Sequence, residues 1–206
     1  MLNADVLTFQ EFVMHEPLPL SKIHGAVLEF LQGREDVVLF GAQAVNAYVS
    51  EPRMTQDDDL LSIRAADFAE ELREHLSEKF RIAVREIGTG KGFRIYQTRK
   101  EGNRHLVDVR PVESFPETET IEKIRILSPL ELIASKVVSY HARRGRPKSG
   151  TEWRDLGFLL LRFPELKEKV AANLQAKNVD EAVLTTWTGL ESQSFEFEDE
   201  DEDLNF

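Results

Sequence analysis

The chain has no cysteine among its 206 residues. Disulfides, thiolate zinc sites and cysteine nucleophiles are therefore excluded. No apolar run approaches the roughly 20 residues that span a bilayer, and the start, Met1-Leu-Asn-Ala-Asp5, lacks the basic-then-apolar pattern of a secretory leader. The expectation is a cytoplasmic protein with no membrane partner. Positive charge is also scarce, with 26 Lys and Arg against 37 Asp and Glu and a formal net charge of −11. The deficit is local. Eight acidic residues and no basic one lie between Glu191 and Phe206, so the other residues together carry only −3. A block of like charge repels itself and has little to bury, so residues 191–206 are expected to form a disordered acidic tail.

What remains has the length and apolar content for one full core, with room for an appended helical part. Leu20 to Leu31 reads as an amphipathic helix, with Ser21 as a cap and Ile23, Val27, Leu28 and Leu31 on one side. Val37 to Phe40 is a short apolar strand, closed by Gly41. Ala42 to Val49 is a helix sequence ended by Glu51-Pro52, and Asp57–Leu61 is the next strand. Phe68, Leu72 and Leu76 mark a helix over residues 67–79. Arg81–Ile87 and Phe93–Thr98 alternate as paired strands around Gly88-Thr-Gly-Lys-Gly92, which lacks phosphate-loop spacing and reads as a hairpin turn. Leu106-Val-Asp108-Val-Arg110 is a further strand. Ser128-Pro-Leu-Glu131 opens a helix running to about Arg144, and Thr151 caps another. Two more helices fill 165–177 and 180–188, the last closed by Gly189. The expected domains are a core over 1–127, a helical part over 128–190 and the tail.

The chemistry concentrates in Arg53-Met-Thr55-Gln-Asp57-Asp58-Asp59-Leu60, whose first aspartate falls sixteen positions after Gly41. Side chains alternate along a strand, so Asp57 and Asp59 project to the same face. Two unpaired carboxylates that close repel unless a cation sits between them. Hard oxygen ligands at this spacing suit Mg²⁺, which is often held by one or two carboxylates plus substrate phosphates. Taken alone, the pair could be a solvated acidic turn, Gly41 a turn residue and Asp108 a surface strand residue. The five histidines show no ligand spacing. The basic segment His141-Ala-Arg143-Arg144-Gly-Arg146-Pro-Lys148 is either a solvated interhelical loop or a contact surface for a polyanion such as RNA.

Strand, glycine, helix, a strand with two alternate aspartates and a later strand with a third: this order resembles the DNA polymerase beta-like nucleotidyltransferase superfamily. Arg53-x-Thr55-x-Asp57-x-Asp59, followed by a helix with Lys136 and by Arg154-Asp155, resembles its AbiEii-type toxin branch. The resemblance covers roughly residues 20 to 160. It implies an α/β (α+β) fold, a mixed sheet flanked by helices, and Mg²⁺-dependent transfer of a nucleoside monophosphate from a nucleoside triphosphate (NTP) to a hydroxyl.

On that reading Asp57, Asp59 and Asp108 are catalytic and bind two Mg²⁺ ions. Gly41, Ala42, Thr55 and Lys136 hold the nucleotide, and Arg53, Arg143 and Asp155 touch substrate. The implied partners are an NTP, an RNA acceptor and an antitoxin protein. Two departures stand out. Ala42 replaces the usual Gly or Ser. Asp58 occupies a core-facing position where a lone carboxylate is costly, so this strand is expected near a sheet edge or with a cationic partner for Asp58. The alternatives are a nucleotidyltransferase acting on an antibiotic-like small molecule, or a non-catalytic relative that binds nucleotide or protein.

Overall fold

The computed structural model describes residue 11 and residues 18–196. Residues 197–206, most of the expected acidic tail, lie outside the described residues. The described part of that stretch is not bare: Phe195 packs on Trp153, with ring centroids 5.5 Å apart. Two compact units divide after Ser128.

In the first unit α1 (Leu20–Leu31) leads to β1 (Val37–Phe40), the short helix α2 (Gly41–Asn46), β2 (Asp58–Ser62), α3 (Ala65–Phe80), β3 (Val84–Thr89), β4 (Gly92–Gln97), β5 (Arg104–Pro111), β6 (Thr118–Ile121) and β7 (Ile124–Leu127). The strands form one mixed sheet in the order β3-β4-β5-β2-β1-β7-β6. β2 pairs antiparallel with β1 and parallel with β5. An α/β fold with a mixed sheet is thus what the chain adopts.

The apolar stripe of α1 (Ile23, Val27, Leu31) and that of α3 (Phe68, Leu72, Leu76) are fully buried with Leu39, Leu60 and Val107 of the sheet. Burying each such side chain contributes about 1.5–3 kcal/mol, which fixes the buried face of β2. Several expected details shift. The residue before α1 is Pro19, not Ser21, and it makes no side-chain cap. Thr89 pairs with Gly92, so the hairpin expected there forms, with a two-residue turn. β6 and β7, four residues each, carry too short a pattern to be read in advance.

The second unit is helical: α4 (Pro129–Arg143), α5 (Lys148–Arg162), a 3-10 turn (Pro164–Leu166), α6 (Lys167–Ala176) and α7 (Glu181–Glu191). α5 begins three residues before Thr151, whose hydroxyl bonds back to the Lys148 carbonyl instead of capping. α7 runs through Gly189 and is capped by Asp180, whose carboxylate accepts from the Ala182 N–H at 3.0 Å. No helix among the described residues is long and apolar enough to cross a membrane.

Candidate active site

β2 delivers its first residues to the centre of the sheet, and the segment before it is pinned. Asn46 accepts the Arg53 N–H at 3.0 Å and donates to the Arg53 carbonyl at 2.7 Å. The Thr55 hydroxyl donates to the Asp57 carbonyl at 2.7 Å. These bonds fix the backbone where Asp57 leaves the turn. Asp59 then projects beside Gly41. That glycine has φ +71°, and a Cβ there would lie 2.1 Å from Asp59 Oδ2. Only glycine permits both the conformation and the approach.

The third aspartate arrives from β5. Asp59 and Asp108 are direct partners across the parallel β2–β5 ladder, about 4.8 Å apart strand to strand. Ile95 of β4 pairs with Val107, but Tyr96 pairs with His105, so Leu106 is an extra residue in β5. A bulge of this kind resets the alternation and re-aims a side chain. His105, three residues before Asp108, therefore reaches the same cluster. Its Nδ1 lies 3.2 Å from Asp57 and its Nε2 3.1 Å from Asp108 Oδ1. Tyr96 packs against its ring at 5.0 Å between centroids.

Charge is balanced locally. Arg94 Nε donates to Asp108 Oδ1 at 3.0 Å, and an Arg110 amino group lies 3.3 Å from Asp59 Oδ1. Hydrogen bonds to Asp108 and then Asp57 raise the His105 pKa to about 10, against the opposing effect of burial. Partial burial pushes the Asp108 carboxyl up, but the His105 hydrogen bond and the His105 and Arg94 charges outweigh it and hold it below the usual carboxylate range.

Asp57, His105 and Asp108 each offer a ligand atom within 4.8 Å of the other two. The donor set of this cluster is two carboxylates and an imidazole, with Asp59 the ladder partner of Asp108. Carboxylate oxygens fit Mg²⁺, and the nitrogen also accommodates Mn²⁺. The residues present fit a divalent cation.

Asp58 corrects the expectation made for it. β2 is the fourth of seven strands, not an edge, and among the described residues no Lys or Arg pairs with the carboxylate. Asp58 is 0 % exposed, and neither of its oxygens has a hydrogen-bond partner. The nearest titratable neighbour on the packed helix is His24 of α1, whose Nε2 lies 4.0 Å away and is likewise unpartnered. Burial, reinforced by Asp57 and Asp59, pushes Asp58 well above the usual carboxylate range. Burial also lowers His24 to about 4. Both shifts favour the neutral forms of the two groups over an ion pair.

In the second unit, three further expected residues come together with a fourth. Lys136 Nζ lies 2.9 Å from Glu152 Oε2 and 2.6 Å from Asp155 Oδ2, and Arg143 pairs with Glu152. Lys136, Glu152 and Asp155 are all buried. This charge-balanced quartet ties α4 to α5, since desolvated charges need partners of this kind. The Lys136 ammonium is held by two carboxylates.

The structure therefore gathers Asp57, Asp59, Asp108, Gly41 and the Thr55 hydroxyl's anchor point in one unit, and Lys136, Arg143 and Asp155 in the other. Ala42 follows Gly41 in α2, and the Arg53 side chain reaches the Met54 carbonyl at 3.3 Å. Sequence reading missed His105, Arg94 and Arg110. Arg110 could have been found, because it alternates with Asp108, whereas Arg94 meets Asp108 through the β4–β5 register. His105 could not, because the Leu106 bulge breaks the period of two.

Comparison with known proteins agrees with this geometry. Residues 26–204 match the family described as nucleotidyl transferase AbiEii toxin, Type IV TA system. No curated protein matches the chain in sequence. Among solved structures, ANT(2")-Ia in complex with adenylyl-2"-tobramycin is similar at 17% identity and TM-score 0.52, covering 84% of this chain and 100% of that one. JHP933 from Helicobacter pylori is similar at 14% identity and TM-score 0.51, covering 90% and 92%. The Megavirus polyadenylate synthase is similar at 14% identity and TM-score 0.50, covering 85% of this chain but 37% of that one. At these identities the likeness concerns the fold.

Proposed function

We propose that this chain, which belongs to the AbiEii nucleotidyl transferase family, moves a nucleoside monophosphate from an NTP to a hydroxyl-bearing RNA acceptor, with Asp57, Asp59 and Asp108 holding two Mg²⁺ ions. The observation that carries this is the convergence of Asp57, Asp108 and His105 within ligand distance of one another. When bound, the cations would neutralise triphosphate charge and acidify the acceptor hydroxyl.

The chain's own residues supply the rest. Asp57 and Asp59 fix the position of the triphosphate by holding its cations, and such positioning is most of what phosphoryl-type transfer requires. Asp108, kept ionised by His105 and Arg94, orients the acceptor hydroxyl and can accept its proton at a carboxylate oxygen. Gly41 allows the backbone to approach the phosphates, with the Ala42 N–H beside it. Thr55 holds Asp57 through its carbonyl and reaches the nucleotide from the same turn. Lys136 binds nucleotide by exchanging one of its carboxylates for a phosphate oxygen, while Arg143, Asp155 and Arg53 meet the substrate.

An RNA acceptor is supported by the exposed Arg144 and Arg146 between α4 and α5 and by the exposed Lys148 that opens α5. The family description, a toxin of a Type IV TA system, supports a role as a toxin; in that role the chain would act in the cytoplasm and be countered by an antitoxin protein. The test is to incubate the protein and Mg²⁺ with each α-labelled NTP and, separately, total RNA, total protein or a small-molecule extract. Label on RNA is expected, and it should vanish in Asp108→Asn. Label on a small molecule would replace the acceptor, and label nowhere would overturn the activity.

A further inference from the structure

We infer that Arg94 and Arg110 are exchange partners of the carboxylates: each competes with a divalent cation for its aspartate and passes to a phosphate oxygen once the cation is bound. This deepens the proposed function and rests on it. Both side chains reach the acidic face through strand geometry. Arg94 is the direct cross-strand partner of Asp108. Arg110 stands two residues after Asp108 and so shares its face. Each takes an oxygen that a cation would need, at 3.0 Å on Asp108 and 3.3 Å on Asp59.

Both side chains are about half exposed, 50 % for Arg94 and 47 % for Arg110. Exposed ion pairs hold weakly, so displacement costs little. Arg110 also has a resting place that does not depend on Asp59. Its guanidinium lies 4.8 Å over the ring of Phe40, the residue before the Gly41 turn, and a cation over an aromatic face is attracted there. A displaced Arg110 stays beside the turn with its fork turned to solvent. Guanidinium forks match phosphate oxygens in pairs, which an ammonium cannot do.

The charges explain why both events belong together. Asp108 and Asp59 each already hold a guanidinium, Arg94 at 3.0 Å and Arg110 at 3.3 Å. A divalent cation entering this group adds positive charge, and a polyphosphate offsets it.

A residue that merely supports the fold would weaken every ligand alike when changed. Exchange predicts opposite signs. The experiment is calorimetric titration of the full chain with Mn²⁺ alone, then with inorganic triphosphate at saturating Mn²⁺. For Arg110→Gln, Mn²⁺ should bind about five-fold tighter than to the wild type, and triphosphate about ten-fold weaker. Arg94→Gln should shift both affinities in the same directions. Arg110→Lys, which keeps the charge and loses the fork, should leave Mn²⁺ near the wild-type value and still weaken triphosphate, so the inference survives if one variant fails to fold. Unchanged or weaker Mn²⁺ binding to Arg110→Gln, with wild-type binding intact, overturns this inference alone. Absence of Mn²⁺ binding to the wild type takes the metal-site reading down first, and this inference with it.

Discussion

Three successive aspartates at the start of β2, Asp57 in the turn before it and Asp58 and Asp59 on the strand, meet two different environments. Asp57 and Asp59 face outward, where His105, Arg94 and Arg110 balance the acidic cluster. Asp58 faces inward, fully buried, with the His24 imidazole 4.0 Å away and no Lys or Arg paired with it among the described residues. The outward face keeps its charges by surrounding them with counter-charges. The inward face, by burial, shifts Asp58 toward its neutral form. A histidine reports on each face, and the two are shifted in opposite directions. Identical side chains one residue apart thus acquire unlike chemistry from the pleat alone.

The sharpest way to break this contrast is to neutralise an outward carboxylate. Asp108→Asn should lower transfer about a thousandfold, the scale of lost transition-state charge stabilisation, while urea unfolding stays close to wild type. A comparable loss of stability would make Asp108 a structural residue.

The next largest effect is in pH. His24 has a folded value of about 4 against an ordinary 6.5, so between these values the unfolded chain binds more protons. Stability contributed by its neutral form is present above pH 6.5 and lost as pH falls toward 4, by about 3 kcal/mol. His105, raised to about 10, behaves oppositely: its contribution is complete below pH 6.5 and lost as pH rises toward 10. Denaturant melts across pH should show His24→Asn flattening the acid limb and His105→Asn the alkaline one. Limbs that respond to the other histidine would invert the assignment of faces.

Gly41→Ala places a methyl on the Asp59 carboxylate and should cost about 1–3 kcal/mol with a loss of activity. An alanine variant with wild-type melting and turnover would show that Asp59 does not need this approach. The smallest effect is the most diagnostic of the inward face. Asp58→Val removes an unpartnered buried carboxyl and should raise stability by about 1–2 kcal/mol at unchanged activity. Destabilisation would mean that the acid has a structural use.

Much of the outward face was legible beforehand. Period-two alternation was the basis for placing Asp57 and Asp59 on one face, although Asp57 sits in the turn before β2, and a glycine closing an apolar run marked the turn at Gly41. Asp108 followed from its strand pattern. The remainder depended on information that no local window contains. His105 joins the cluster only through the extra residue Leu106. Asp58 is buried because β2 lies mid-sheet, a consequence of pairing with β5 forty-odd residues later. Lys136 meets Glu152 and Asp155 because two helices pack, and helix stripes record which face is apolar without recording what lies opposite. The short strands β6 and β7 carry too few positions to show a period.

The most direct test is anomalous scattering from crystals soaked in Mn²⁺ with a non-hydrolysable NTP. The account predicts a manganese peak ligated by Asp57 and Asp108, with Asp59 released from Arg110. No peak there, with His105 still bridging Asp57 and Asp108 and the nucleotide bound elsewhere, would contradict it.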